Sequence, residues 1–373
     1  MRTPLLALAA AATLTTLAAR PVAAQGSGTI DVPSRNDGVT RVATRGAAFL
    51  SLGVGARALS MAGAFTATAS DLSAAYWNPA GLGDVTSASG FASHEKLYGS
   101  SGLTNTFVTG VIPAFGGAFG VSFTGFSSGD IERTTEFYPD GGDPALGNTV
   151  SWTGTSVGIH YARQFTDRLA AGGTIKRASE GIEFASATWY AGDFGVRFRS
   201  GLAGSTLGFT VANLGSSARM GGPAIQRRVT QRNDPQFPTG RPLEIGLRPQ
   251  LLQLPTTLRF AVQTDILGGA ESLMGARYGA AHTLALVADV SDAIDTGIMP
   301  AFAAEYGFRR RVFLRGGGRW LNDERIGQGS GISYSAGGGV VLPIANRRFL
   351  LDYAWRNFGA LNDNQVISFQ FGY

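Results

Sequence analysis

The chain contains few residues of the types that nucleophilic or metal chemistry uses. Its 373 residues include no cysteine and three histidines, His94, His160 and His282, which are far apart in the sequence. Covalent catalysis needs a nucleophile with a base and an orienting group in reach, and structural zinc sites need clustered Cys or His ligands. The histidines form no recognisable motif of either kind. The sequence therefore predicts no catalytic residue, no metal and no cofactor, with a barrel-embedded lipid hydrolase as a remote alternative.

The residues that remain for polar chemistry are arginines and carboxylates, which alternate with apolar residues along several segments. The segment 349–356, for example, places mainly apolar side chains on one face and charged side chains on the other. Mixed charge on such a face is typical of a hydrated lumen held by internal ion pairs, and the alternative is a purely structural lining. The candidate lumen-lining residues are Asp193, Arg197, Arg259, Glu305, Arg315, Arg319, Asp352 and Arg356.

Alternation with a period of two predicts that β-strands carry these residues. The chain has 53 glycines, and aromatic residues make up 10 % of it, which excludes a long helical bundle and a disordered chain. After residue 83 the alternation divides into about 14 segments, an even number, most of them long enough to cross a bilayer as tilted strands. The predicted strands are 86–97, 103–113, 116–127, 151–164, 169–179, 188–199, 204–214, 255–265, 280–290, 299–308, 311–320, 331–342, 347–356 and 364–373.

Loop lengths and aromatic positions favour a transmembrane antiparallel β-barrel over a soluble β fold. Most even-numbered strands are followed by tight turns, whereas long loops, 128–150 and 215–254, follow the third and seventh strands. Outer-membrane barrels show this asymmetry, with the longer loops outside the cell. Aromatic residues gather near strand ends, as two interfacial girdles require, namely Tyr98, Trp152, Tyr161, Phe165, Trp189, Trp320, Trp355 and Phe358. The predicted fold class is therefore all-β.

Both ends of the chain indicate export to an outer membrane. Residues 1–24 have a positive start, an apolar stretch and a small-residue end, which predicts a cleaved signal peptide. In the last strand Ile367, Phe369, Phe371 and Tyr373 alternate outward, which resembles the assembly signal of outer-membrane barrels. The formal net charge of +5 is too small to predict a nucleic-acid partner. The expected partners are outer-membrane lipid and the barrel-assembly machinery.

The segment 47–83 is rich in small residues and does not alternate, which predicts short helices packed in a confined space. Pro79 fixes its own backbone and pushes Asn78 out of the helical region, so that the Asn78 amide is free to bond nearby backbone. Arg57 and Asp71 are candidates for an ion pair that holds this segment to itself or to a wall.

These residues belong to a stretch that resembles a known family. The run from Gly55 to Phe65, followed by Tyr76 to Leu82, is similar to the amino-terminal signature of the PorV/PorQ family, a branch of the FadL-like outer-membrane proteins. The closing runs, 351–355, 357–359 and 367–369, are similar as well. The resemblance implies a 14-stranded barrel with an N-terminal hatch in its lumen. The domains would be the signal peptide at 1–24, the lead-in and hatch at 25–83, and the barrel at 84–373.

The family resemblance also implies the function. It predicts uptake of hydrophobic compounds or binding of exported proteins, and the alternative is a type IX secretion component that attaches cargo without transporting solutes. The candidates for holding or gating the hatch are Arg57, Asp71, Tyr76, Trp77, Asn78 and Pro79. The simpler interpretation of these residues is that they only keep the hatch folded.

Overall fold

The computed structural model describes residues 44–144, 147–229, 243–275, 281–294, 296–321, 331–344, 347–358 and 361–372, with side chains omitted at 227–229 and 243–245. The predicted signal peptide, nearly all of the lead-in and Tyr373 lie outside these residues. None of the helices in these ranges is long and apolar enough to cross a membrane.

A single closed barrel of antiparallel strands follows the order of the chain. The first and last strands close it, with Gly90 paired to Phe371 and Lys96 to Gln365. The predicted 14-stranded antiparallel barrel is therefore confirmed, and every predicted range overlaps one strand. The strands are β1 Ser89–Lys96, β2 Thr104–Ala114, β3 Gly117–Ser127, β4 Trp152–Gln164, β5 Leu169–Ile182, β6 Ala185–Arg199, β7 Ser205–Gly215, β8 Thr257–Leu267, β9 His282–Ala293, β10 Gly297–Phe308, β11 Val312–Leu321, β12 Gly331–Ile344, β13 Arg347–Asn357 and β14 Asp363–Phe371.

The two faces of the barrel wall differ in chemistry. On β10, Phe302 is 54 % exposed on the outside, whereas its neighbours Ala301 and Ala303 are buried inside. Large apolar side chains are exposed on the outside of most strands, as a wall in contact with lipid requires. Examples are Val108, Phe123, Ile159, Ile175, Phe194, Phe260, Leu286, Leu314, Tyr334 and Leu351.

The prediction that Trp189 belongs to an outer aromatic girdle is wrong. Trp189 is fully buried inside the barrel, because the outward positions of β6 are its even-numbered residues, such as Tyr190. Tyr98 and Trp152 pack against the same inner cluster as Trp189. Position near a strand end therefore does not determine which face an aromatic side chain takes.

The connections differ between the two ends of the barrel. One end, the turn end, carries the connections at 115–116, 165–168, 200–204 and 309–311. The opposite end, the loop end, carries the long connections, including the short strand pair Ile131–Glu132 with Thr149–Val150 and the pair Ser217–Ala218 with Leu252–Gln253. The connection at 268–281 is longer than its neighbours at the turn end, yet β8 and β9 pair directly on either side of it.

Residues 44–85 run through the lumen from the loop end to the turn end and form the hatch. The hatch contains the helices α1 Ala56–Ser60 and α2 Ala74–Trp77 and the 3-10 turns Ala48–Ser51 and Pro79–Asp84. At several points where the hatch backbone touches the barrel wall, the wall residue is a glycine. A Cβ atom on Gly317 would lie 2.7 Å from the Met61 carbonyl carbon, and one on Gly172 would lie 2.6 Å from that of Pro79. Small residues on both sides therefore allow backbone to pack against backbone.

Candidate functional site

The Asn78–Pro79 step fastens the hatch to itself and to the wall. Asn78 is extended, and its Oδ1 accepts a hydrogen bond from the Ala80 N–H at 3.1 Å, as the sequence predicts. Its Nδ2 donates to the Thr66 carbonyl at 2.9 Å and to the Val196 carbonyl of β6 at 3.1 Å. The side chain is fully buried, so these bonds replace water that it would otherwise need.

Arg57 connects the hatch to the barrel through an ion-pair network. It contacts Asp71 of the hatch at 3.3 Å, and its Nε and Nη2 each donate to a different oxygen of Glu305 on β10 at 2.8 Å. Glu305 also accepts from Arg315 Nε at 2.5 Å, and Arg315 Nη1 reaches Asp352 at 2.6 Å. The predicted Arg57–Asp71 pair is thus part of a larger network that runs from the hatch across β10, β11 and β13.

A second set of polar contacts holds the end of the hatch to the wall at the turn end. Arg197 Nη1 donates to the Ala69 carbonyl at 2.6 Å, and its Nη2 contacts Asp84. Arg199 lies 3.2 Å from the same carboxylate, and Gln164 also bonds to it. Asp84 is the last residue of the final 3-10 turn, so these contacts hold the hatch at the point where it leaves the lumen.

Asp193 also faces the lumen but contacts only the wall. It accepts from Lys176 Nζ at 2.8 Å and from the Asn213 backbone N–H at 2.7 Å. Asn213 has a φ of 60° at an irregularity in the pairing of β6 with β7. Asp193 therefore stabilises a bulge of the wall.

The remaining predicted lumen arginines lie toward the loop end around the aromatic residues of α2. The Arg259 guanidinium stacks 4.7 Å from the Trp77 ring centroid and 5.5 Å from that of Tyr76. Trp77 Nε1 donates to the Val54 carbonyl at 2.9 Å and the Tyr76 hydroxyl to the Leu50 carbonyl at 2.7 Å. Arg319 packs close to Gly63, and Arg356 stacks 4.3 Å from the Phe358 ring. Arg259 and Arg319 thus contact the hatch from the wall, whereas Arg356 contacts Phe358 just after β13.

An apolar cluster at the loop end was not predicted from the sequence. Phe49 of the hatch stacks on Phe126 with ring centroids 6.4 Å apart, beside Trp189 and Trp152. A Cβ on Gly154 would lie 2.5 Å from the Phe49 ring. Trp189 donates through Nε1 to the Leu252 carbonyl at 3.1 Å. The cluster is an aromatic-lined site whose present occupant is Phe49.

A cavity of about 530 Å³ opens at the turn end of the barrel. Its lining combines the hatch residues Thr68 and Ser70 with charged residues of the Arg57–Glu305 network and of the Arg197–Asp84 contact. Carboxylates of β8 and of the connection after it also line the cavity. These charged residues include Arg57, Glu305, Asp84, Arg197, Asp265 and Glu271. The hatch residues Ala67, Thr68 and Ser70 and both sets of hatch-to-wall contacts therefore border this cavity.

The structure pairs one histidine with a serine. His160 Nε2 lies 2.7 Å from Ser122 Oγ, and its Nδ1 lies 2.8 Å from Thr174 Oγ1. All three are buried, none lines the cavity, and the third partner is a hydroxyl rather than a carboxylate. Two pentapeptides, 125–129 and 154–158, fit the GxSxG pattern, but both lie at least partly in strands instead of at a strand-to-helix turn. In the described part of the chain no three His, Asp or Glu side chains are placed to hold a metal ion.

The proposed assembly residues lie on the outer surface of the last strand. Ile367 is 56 % exposed, Phe369 42 % and Phe371 38 %. Their role in assembly stays a prediction. The contacts of the other sequence candidates place Arg57, Asp71 and Glu305 together, and they leave Asp193 apart from the hatch.

Comparison with known proteins identifies relatives of the fold alone. No protein-family model and no curated protein sequence matches the chain. The toluene transporter TbuX of Ralstonia pickettii matches with a TM-score of 0.51 and 12 % identity, over 85 % of this chain and 98 % of that one. The monoaromatic hydrocarbon channel CymD and the toluene transporter TodX of Pseudomonas putida each match with a TM-score of 0.50, at 12 % and 11 % identity, over 86 % of this chain and 97 % of theirs. The chain thus has the fold of these hydrocarbon channels, a closed 14-stranded barrel with a hatch of short helices in its lumen.

Proposed function

We propose that this chain is a non-enzymatic outer-membrane channel that admits hydrophobic small molecules, with the hatch as its gate. The observation that carries the proposal is the Arg57–Glu305 ion pair, which joins hatch to wall at the edge of the cavity. Such a pair holds segment 66–71 in the closed position. Breaking it would loosen the part of the hatch that borders the cavity, where the Arg197 bond to the Ala69 carbonyl remains.

The outer wall supports the membrane placement. A closed barrel satisfies the backbone hydrogen bonds of all its strands, as lipid requires. Its outward side chains are large and apolar, with Ile175 76 % exposed and Leu314 61 % exposed. In such barrels short turns are periplasmic and long loops extracellular, so the turn end and its cavity face the periplasm.

The loop-end cluster supports an apolar solute. TbuX and TodX are described as toluene transporters and CymD as a monoaromatic hydrocarbon channel. In this chain the Phe49 ring occupies a site formed by Phe126, Trp152 and Trp189. An aromatic solute that displaces Phe49 meets the same surfaces, with stacking geometries that aromatic pairs prefer.

Uptake by intact cells tests this function. Cells whose outer membrane excludes the apolar fluorophore N-phenyl-1-naphthylamine would express the full chain or carry an empty plasmid. Faster dye uptake with the chain, and unchanged entry of a hydrophilic dye of similar size, is the expected result. Equal uptake of the apolar dye in both strains would reject transport if uptake also stays equal when the chain carries the substitution Glu305→Gln, which breaks the hatch-to-wall ion pair.

The second candidate function is binding of exported proteins, as in the PorV/PorQ type. It is supported by the resemblance of the hatch and of the closing runs to that family, and by an exposed apolar side chain at the loop end, Phe137, which is 86 % exposed. A photo-crosslinking residue at Phe137 should capture exported proteins in a cell with a type IX secretion apparatus. The same residue at Phe115, 84 % exposed at the turn end, is the matched control. Equal labelling at the two positions would reject this function.

A further inference from the structure

Five arginines form a basic patch on two neighbouring connections of the turn end. Arg309, Arg310 and Arg311 lie between β10 and β11, and Arg347 and Arg348 begin β13. All five are exposed. None forms an ion pair with a carboxylate among the described residues, and the runs 308–313 and 343–349 contain no acidic residue. The patch is therefore a local excess of basic side chains, of which Arg310 also lines the turn-end cavity.

The two connections are held side by side. β11 and β12 are neighbours in the barrel, and the Val341 N–H of β12 donates to the Arg311 carbonyl at 2.7 Å. The Gly372 N–H, just after β14, donates to the Arg348 carbonyl at 3.3 Å. The charges thus occupy one sector of the rim, from β10 to β14.

Two of the arginines lie at the border of the apolar outer wall. The Arg309 guanidinium stacks 5.2 Å from the ring centroid of Phe308, an outward residue that is 38 % exposed. Arg347 pairs in register with Ile344 and falls on the outward positions of β13, in line with Leu351 and Tyr353. Directly beside it, Phe349 and Phe369 stack with centroids 5.7 Å apart. Guanidinium groups at the edge of an aromatic belt lie at the level of lipid phosphate groups.

Elsewhere on the same rim the arginines are more dispersed. Arg199 pairs with Asp84, and Arg168 follows Asp167 in the sequence. At the loop end the segment 130–143 is mainly acidic, with Asp130, Glu132, Glu136, Asp140 and Asp143 against Arg133. The acidic segment at the loop end thus contrasts with the arginine patch at the turn end.

We propose that Arg309 and Arg347, supported by Arg310, Arg311 and Arg348, bind the phosphate groups of anionic phospholipids in the leaflet that borders the turn end. This inference rests on the membrane placement proposed above. Arginine suits this ligand because its guanidinium forms paired hydrogen bonds to phosphate oxygens while its stem covers apolar surface. The aromatic belt of β10 to β14 provides the adjoining surface for the acyl chains. The contact would fix the tilt and depth of this side of the barrel.

Native mass spectrometry of the purified full chain tests the proposal. The protein in mild detergent would be titrated with phosphatidylglycerol and with phosphatidylcholine of the same acyl chains. We expect phosphatidylglycerol to bind more tightly, and the variant Arg309→Gln/Arg347→Gln to bind it at least about tenfold more weakly. The control variant Arg163→Gln/Arg168→Gln removes the same charge from a distant sector of the rim and should bind as the unmodified chain does. Inorganic phosphate at the same concentrations should not compete.

Three results would overturn the proposal. They are equal binding of the two lipids, an equal loss in the control variant, and competition by inorganic phosphate, which would indicate a site for free anions. Failure of the membrane placement is distinguishable, because the chain would then not incorporate into vesicles or show the heat-dependent gel mobility of folded barrels. Both double variants should keep that mobility, which shows that they fold.

Discussion

Replacement of Glu305 by glutamine should open the gate. The Glu305 carboxylate accepts from Arg57 Nε and Nη2, both at 2.8 Å, and from Arg315 Nε at 2.5 Å. An amide retains one acceptor oxygen and turns N–H groups toward a guanidinium. Removing one partner of a buried ion pair destabilises the structure that contains the pair by about 3–5 kcal/mol. Because the side chains of Arg57 and Glu305 are still 15 % and 13 % exposed, the lower value applies.

That cost applies to the closed state, in which hatch and wall are joined. At about 1.4 kcal/mol for each factor of ten, a loss of about 3 kcal/mol raises the ratio of open to closed hatch roughly 100-fold. The assay is the initial rate of N-phenyl-1-naphthylamine uptake by intact cells with equal amounts of folded barrel. We expect Glu305→Gln to admit the apolar dye faster than the unmodified chain.

Asp193→Asn is the matched control for that substitution. Asp193 is also a buried lumen carboxylate, paired to Lys176 at 2.8 Å, but it does not touch the hatch. The Asp193→Asn substitution should lower the stability of the barrel and leave dye uptake unchanged. Unchanged uptake in Glu305→Gln would refute the gating argument, and an equal increase in both variants would show that general loosening of the barrel explains it.

Three further substitutions test the hatch and the wall. Gly317→Leu should lower the temperature at which the barrel loses its folded gel mobility, because its Cβ meets the Met61 carbonyl carbon at 2.7 Å, whereas Gly316→Leu, whose nearest contact is 3.7 Å away, should not. Phe49→Ala should remove about 3–5 kcal/mol of packing at the loop end and speed dye uptake, with Phe115→Ala at an exposed turn as the control that leaves uptake unchanged. Ser122→Ala should leave a phospholipase assay of the purified barrel at its background value, and a loss of measurable hydrolysis would instead make the Ser122–His160 pair catalytic.

The architecture was predictable because a strand repeats every two residues. Even the hairpin β8–β9 with its long turn was found, since its flanking residues alternate clearly. At Trp189 the position near a strand end wrongly indicates an outward side chain, whereas the alternation of the strand gives the inward face. The face of a strand residue follows from its parity with the buried residues of the same strand, here Ala187 and Ala191.

The contacts of the site were only partly predictable. Arg57 and Asp71 are 14 residues apart in one small segment, so their pairing could be expected. Glu305 is 248 residues from Arg57, and only closure of the barrel and the position of the hatch bring the two together. The contact of His160 with Ser122 likewise depends on the register of β3 with β4, which a single sequence does not reveal. Glycines inside strands were the useful signal, because those facing the hatch mark where its backbone approaches the wall.

The bonds of segment 66–71 determine how the proposed gate would open. At one end the Thr66 N–H donates to Asp289 at 3.0 Å, and the Thr66 carbonyl accepts from Asn78. At the other end Arg57 bonds to Ser70 at 3.0 Å and to Asp71 at 3.3 Å, and only this end depends on Glu305. Loss of the Glu305 bond detaches Arg57, and with it Ser70 and Asp71, from β10. Thr66 stays bonded to Asp289 and the Ala69 carbonyl to Arg197, so we expect a local movement of residues 70–71. Since Ser70 lines the cavity, we expect this movement to widen the cavity toward the lumen without expelling the hatch.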